Sequence, residues 1–150
     1  MTDIKSTEER SKNMSAIRSK NTKPEQFIRH ELFIRGYRYR NNVKNVFGHP
    51  DLWMAKYRTA IFVNGCFWHR HAGCRFAYMP KSRVDFWRDK FDKNLKRDQR
   101  VYDQLLSQNI KVLIIWECTI KKMKRETSIY DETVIKILKF IHNDNLFVEI

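Results

Sequence analysis

The stretch that decides the reading is DLWMAKYRTAIFVNGCFWHRHAGC, from Asp51 to Cys74. Its first half contains two short apolar runs, DLWMA (51–55) and TAIFV (59–63), separated by Lys56, Tyr57 and Arg58. Runs of this length, rich in aromatic and β-branched residues, predict an antiparallel pair at the centre of a sheet. At Asn64 the character changes. Cys66, Cys74, His69, His71 and the adjacent Phe67-Trp68 crowd into a loop punctuated by Gly65 and Gly73. Packing alone rarely collects such groups, so this loop is expected to hold a metal, a substrate or both.

Outward from this stretch, helices and strands alternate. Thr22, Pro24 and Glu25 precede Phe27, Ile28, Leu32 and Phe33 at helical spacing, and Gly36 supplies a stop. Further upstream, Ser6-x-x-Glu9 has the form of a capping box and opens a short basic helix to about Lys20. The YRYR segment (37–40) alternates like a strand, and FGHP (47–50) reads as a turn. Downstream, Trp87, Phe91, Leu95, Val101, Tyr102, Leu105 and Leu106 predict a long charged helix over 84–108. KVLIIW (111–116) is a buried strand with Glu117 and Cys118 at its exit. A last helix is predicted over 131–142, and LFVEI (146–150) is a terminal strand or a packed tail. The expected fold is α/β, a central mixed sheet flanked by helices. A chain of 150 residues is expected to form one domain, a basic arm (1–20) followed by a core (21–150).

Composition narrows the partners. Lys and Arg number 30 against 17 acids, a formal charge of +13, which favours a polyanion such as nucleic acid. Between Leu32 and Val84 there are ten basic residues and one carboxylate, Asp51. In that cationic region Asp51 is expected to stay ionised, ready to hold a metal beside phosphate. No apolar run is long enough to cross a bilayer, and the polar opening MTDIKSTEERSK lacks the form of a secretion signal. A soluble cytoplasmic protein, with no membrane association, is expected.

Three cysteines, an odd number, do not suggest a secreted disulfide framework. Cys66-x4-His71-x2-Cys74 offers three ligands on one loop, and Cys118 on a separate element can add a fourth. Three thiolates and one imidazole form a closed shell for structural Zn2+. Three inert cysteines beside an incidental histidine are the plainer alternative. His69, two residues from His71, does not easily face the same ion.

Phosphodiester hydrolysis at neutral pH needs a hard cation and a proton acceptor. Mg2+ takes oxygen ligands, usually one or two of them from protein. Asp51 can supply one and the Val63 carbonyl another, with His69 as proton acceptor and Glu25 in the outer shell. Taken alone, Glu25 is also explained by its place in a helix's first turn, and Asp51 by a turn beside proline.

The segments RSKNMSAIRSKNTKPE (10–25), GHPD (48–51), AIFVNGCFWHRH (60–71), FW (86–87), KNLKRD (93–98) and LIIWEC (113–118) together resemble the Vsr DNA mismatch endonucleases, agents of very short patch repair. The likeness runs in order over most of the chain. It implies a restriction-endonuclease-like core and Mg2+-dependent nicking of double-stranded DNA at a T:G mismatch, 5′ to the mispaired thymine. Such mismatches arise when 5-methylcytosine deaminates. Carried over by position, it implies Asp51 and the Val63 carbonyl as magnesium ligands, His69 as base, Glu25 in the outer shell, and Cys66, His71, Cys74 and Cys118 as zinc ligands. Phe67, Trp68 and Trp87 become an aromatic wedge, and Met14 enters from the opposite groove. Lys12, Asn13, Arg18, Lys20, Asn94 and Arg97 are the further expected DNA contacts. A wobble pair stacks poorly, so a wedge opens it at lower cost than a matched pair.

One position departs from the pattern. The family usually has Asp or His where this chain has Asn64, and asparagine is neither charged nor a base. Asp98 is expected to orient His69 or an arginine on phosphate, or to form a surface ion pair. The resemblance implies a monomer working on nucleoid DNA, with a mismatch-repair mediator protein as a further partner. Two rivals remain: a restriction or homing-type endonuclease on the same scaffold, and a mismatch-DNA-binding protein made catalytically weak by Asn64. A small-molecule zinc hydrolase is disfavoured by the closed zinc shell.

Overall fold

The structure, a computed structural model, describes residues 20–150. The predicted arm helix, with Lys12, Asn13, Met14 and Arg18, lies outside the described residues; Lys20 is exposed at their start.

Helix α1 (Lys23–Phe33) begins where the sequence predicts. Thr22 Oγ1 accepts from the Glu25 N–H at 3.3 Å, Pro24 occupies the first turn, and Ile28 and Leu32 are buried. Gly36 follows at φ +87°, a left-handed turn that suits glycine. Strand β1 is only Arg40–Asn41, shorter than the YRYR alternation suggests. The tyrosines are held by their hydroxyls instead. Tyr39 Oη donates to the Arg29 carbonyl at 2.9 Å, and Tyr37 Oη meets His142 Nε2 at 2.7 Å.

Strands β2 (Leu52–Met54) and β3 (Thr59–Asn64) form the expected antiparallel pair, Leu52 opposite Ile61 and Met54 opposite Thr59. A 3-10 turn (Ala55–Tyr57) joins them, with Arg58 left-handed at φ +47°. Helix α2 (Val84–Ser107) crosses over to β4 (Lys111–Trp116), which pairs parallel with β3 and with β5 (Phe147–Glu149). The sheet is therefore mixed, in the order β1-β2-β3-β4-β5.

Two helices separate β4 from β5, where the sequence predicts one. Glu117 and Cys118 open α3 (Glu117–Arg125), and α4 begins at Thr127 (Thr127–His142), earlier than predicted. The nine residues ECTIKKMKR bury only Ile120 and Met123, so they show little apolar periodicity. Their charges still suit a helix, with Glu117 in the first turn and Lys122, Lys124 and Arg125 in the last. No helix among the described residues is long and apolar enough to cross a membrane.

Period-two alternation on β3 and β4 divides the core between the faces of the sheet. Ile61, Leu113 and Ile115 pack with α1, α3 and α4 through Ile28, Ile120, Met123, Ile137 and Phe140. Ala60, Phe62, Val112 and Ile114 pack with Leu105 of α2 and with Val46. At the lower end of the sheet, buried Lys111 donates its Nζ to the carbonyls of Phe140, Ile141 and Asn143, closing the C-terminus of α4.

The turn before Asp51 is pressed against α2. Gly48 has φ +80°, and a Cβ there would collide with Val101 Cγ1. Gly36 is also left-handed, but a Cβ there would meet nothing within 4 Å. Gly36→Ala is expected to cost about 1–2 kcal/mol in urea denaturation, for backbone strain alone. Gly48→Ala is expected to cost about 2–5 kcal/mol, because overpacking adds to the strain. Equal losses would show that the contact with Val101 is unimportant.

Candidate active site and metal centre

Beyond β3 the chain turns at Gly65, and backbone bonds knit the loop. His69 N–H reaches the Gly65 carbonyl (3.1 Å), His71 N–H the Cys66 carbonyl (3.0 Å), and Cys74 N–H the His71 carbonyl (3.3 Å). Arg70 and Gly73 take left-handed conformations at φ +53° and +70°. The loop thereby curls Cys66, His71 and Cys74 toward Cys118, in the first turn of α3. Their four ligand atoms lie within 4.8 Å of one another, and His71 Nδ1 is 3.4 Å from Cys118 Sγ. A tetrahedral shell with metal–sulfur bonds of about 2.3 Å sets donors roughly 3.7 Å apart, so the set fits a metal ion after a small contraction. The imidazole of His71 stacks on Trp116, centroids 4.2 Å apart and 5° from parallel. Burial raises the pKa of the Cys66 thiol. A cation would oppose that shift, because it stabilises the thiolate.

The second cluster lines an open cleft of about 1820 Å³, bordered by the start of α1, the β2–β3 ends, the 65–69 turn and one face of α2. Asp51 Oδ2 accepts the Val63 N–H at 2.7 Å, which fixes the carboxylate against the end of β3. Glu25 is 2 % exposed, and its Oε2 accepts from the Asn21 N–H (2.8 Å) and Arg29 Nη2 (3.1 Å). Its pKa is raised by burial, against the pull of those partners.

Asp51 does not behave as an isolated carboxylate among cations. Burial, then the negative charge of Glu25, push its pKa up to about 7, against the opposing effects of Val63 N–H, His69 and Arg29. Folding buries Asp51 and brings Glu25, far away in sequence, beside it, and both raise its pKa from the ordinary carboxylate value. A cation held by Asp51 would restore its ionised form.

His69 completes the cluster. Its Nδ1 lies 2.6 Å from Asp98 Oδ2, while Asp98 Oδ1 lies 3.8 Å from Nη2 of the exposed Arg97. With Nδ1–H donated to the carboxylate, Nε2 is the nitrogen available to accept a proton. Asn64 is buried, and its Nδ2 donates to Tyr102 Oη at 3.0 Å. The Asn94 amide nitrogen is bonded to the Trp68 carbonyl (3.1 Å) and so holds the loop from α2. Arg97 stands exposed on the wall of the cleft with Lys90 and Arg100.

Beside the cleft, Phe67 is the hub of an aromatic cluster. Trp68, Trp87 and Phe91 meet it nearly edge-on, at centroid distances of 5.1, 5.5 and 5.1 Å. Phe91 is the buried base of the cluster, whereas Phe67, Trp68 and Trp87 are half-exposed. The guanidinium of Arg70, 3.8 Å above the Phe91 ring, clamps the loop through the carbonyls of Phe67, Ala77 and Tyr78.

Comparison with known proteins identifies relatives of this chain. Residues 2–75 match the family model described as DNA mismatch endonuclease Vsr. The DNA mismatch endonuclease Vsr of Escherichia coli is 36% identical over 85% of this chain and 81% of its own. The chain belongs to the Vsr family. Other relatives carry the name of nicking enzymes. Type II nicking enzyme V.NmeAIP of Neisseria meningitidis is 46% identical over 81% of this chain and 86% of its own, and V.XorIIP of Xanthomonas oryzae is 42% identical over 82% and 90%. As the family implies, the mixed sheet is a restriction-endonuclease-like core.

Within this Vsr-family site, sequence reasoning missed the roles of Tyr102 and Arg70. Tyr102 is read from sequence as one more apolar residue of the long helix, and Arg70 as part of the general positive charge.

Two outcomes follow. Purified protein is expected to carry one tightly bound metal ion by elemental analysis. Cys118→Ser should lose that ion and lower Tm by about 10 °C or more; an unchanged melt would refute a structural role. For Asp51 the sign runs against alkali: its raised pKa favours the native state at low pH, and that advantage disappears as pH climbs from about 4 to 7. Without added divalent ions, Asp51→Asn is therefore expected to stabilise the protein at pH 8 by on the order of 2–4 kcal/mol, and hardly at all at pH 4. Urea denaturation at the two pH values measures the difference.

Proposed function

We propose that this chain is a Mg2+-dependent, zinc-stabilised endonuclease that nicks the thymine strand 5′ to a T:G mismatch in double-stranded DNA, acting as a monomer on cytoplasmic nucleoid DNA. The observation that carries the reading is the convergence of Asp51, Glu25 and the Asp98-held His69 in one cleft, with a half-exposed aromatic cluster at its edge.

Asp51 and the Val63 carbonyl would hold magnesium, with Glu25 behind Asp51 in the outer shell. When bound, the cation supplies polarisation of the phosphodiester and stabilisation of the negative charge that builds on its oxygens. His69 takes a proton from the attacking water at Nε2, while Asp98 keeps the ring in the tautomer and orientation that leave Nε2 open. Cys66, His71, Cys74 and Cys118 suit Zn2+ as a closed shell without room for substrate, so that ion ties the loop to α3. Phe67, Trp68 and Trp87 enter the base stack at the mismatch, where stacking returns on the order of 1–3 kcal/mol per base. Lys90, Arg97 and Arg100 face the backbone phosphates.

The decisive assay compares two labelled duplexes that differ in one T:G against C:G pair, over pooled flanking sequences, with and without Mg2+. Nicking is expected on the thymine strand of the mismatched duplex alone, and only with Mg2+. Cleavage of both strands of matched duplex would favour the restriction-type rival. Preferential T:G binding without turnover would favour the non-cutting one. Asp51→Ala is expected to bind mismatched DNA normally and to nick at least a thousandfold more slowly, on the order of 4 kcal/mol of transition-state stabilisation. Trp68→Ala should weaken binding to T:G duplex by about tenfold more than to C:G duplex; an equal loss on both would exclude a wedge.

A further inference from the structure

Asn64 ends β3 directly after Val63, whose N–H holds Asp51. Its carboxamide nitrogen donates to the hydroxyl of Tyr102, which reaches across from α2. The tyrosine ring is fixed independently of that bond. It packs edge-on against Phe62 (5.5 Å, 66°) and lies 5.9 Å from Phe147. Both Asn64 and Tyr102 line the cleft.

Burial, and then the negative charges of Asp98, Glu149 and Asp51, hold the phenol well above the ordinary tyrosine range. The hydroxyl therefore stays neutral. A lone pair remains for Asn64 Nδ2. This matters because the two ends of a carboxamide are chemically opposite: oxygen accepts, nitrogen donates. Turned over, Asn64 would present N–H groups to a site that attracts cations.

We propose that Tyr102 is a positioning residue of the active centre: by accepting from Nδ2 it turns Asn64 Oδ1, a neutral acceptor, toward the place where Asp51 and the Val63 carbonyl hold the cation. The inference rests on the magnesium reading above. It carries a consequence that packing alone does not. A carboxylate has two equivalent oxygens and no wrong way round, so Tyr102 matters only while residue 64 is an amide.

The test compares four zinc-loaded proteins: the parent, Tyr102→Phe, Asn64→Asp and the double variant. Phenylalanine keeps the ring contacts with Phe62 and Phe147. Mn2+ affinity by calorimetry and single-turnover nicking of T:G duplex are read for each, with zinc content and Tm alongside. In the Asn64 background, Tyr102→Phe is expected to reduce both Mn2+ affinity and nicking rate by about tenfold, the worth of one hydrogen bond. In the Asn64→Asp background the same change should cost less than about threefold. Equal losses in the two backgrounds, or no loss in either, would overturn the proposal. The parent supplies a separate check by NMR: slow solvent exchange of the Asn64 side-chain amide protons supports the bond, and fast exchange refutes it. A parent protein that neither nicks nor binds Mn2+ would instead overturn the magnesium reading itself.

Discussion

The register between β3 and β4 is the constraint on which the rest of this molecule depends. The strands run parallel with Asn64 level with Trp116. Two residues further on, Cys66 and Cys118 leave the sheet side by side. The metal cluster therefore exists because two buried strands end at the same height. Shifted by one residue, the pairing would exchange the core faces of β4, so hydrophobic burial enforces the alignment that the ligands need. The same strand end delivers Val63 and Asn64 to the cleft, which makes the two clusters neighbours.

Electrostatics gives the cleft its bias. The chain carries a formal charge of +13, yet it sets two carboxylates near each other, buried Glu25 and half-buried Asp51. Arg29 and the Val63 N–H offset part of that cost, and the raised Asp51 pKa is what remains. Negative charge inside a basic wall is the arrangement expected where a cation and a phosphate are to be held together. The two lysine–aspartate pairs along α2, Lys93–Asp89 and Lys96–Asp92, are exposed and contribute little. Asp98 differs from them because it turns inward to His69.

Much of the fold is legible locally. Thr22, Pro24 and Glu25 announce α1 because capping is a matter of adjacent residues, and the paired apolar runs around Lys56 announce β2 and β3 for the same reason. The metal cluster is legible because three of its four ligands share one loop. Reading fails where neighbours in space are distant in sequence. ECTIKKMKR hides a helix whose two buried residues are covered by other elements. YRYR imitates a strand because its tyrosines anchor to Arg29 and His142.

By itself, then, the sequence determined the α/β class, the central strand pair, the Cys/His cluster, the aromatic pair and the cationic character. Each of these depends on residue type and short-range spacing. Only the tertiary structure decided the raised pKa of Asp51, the partner of His69, the task of Asn94 and the bond from Asn64 to Tyr102. Those are properties of side chains brought together from α1, β3, the metal loop and α2. Charge and hydrogen bonding act over a few ångströms of space, whatever the distance along the chain.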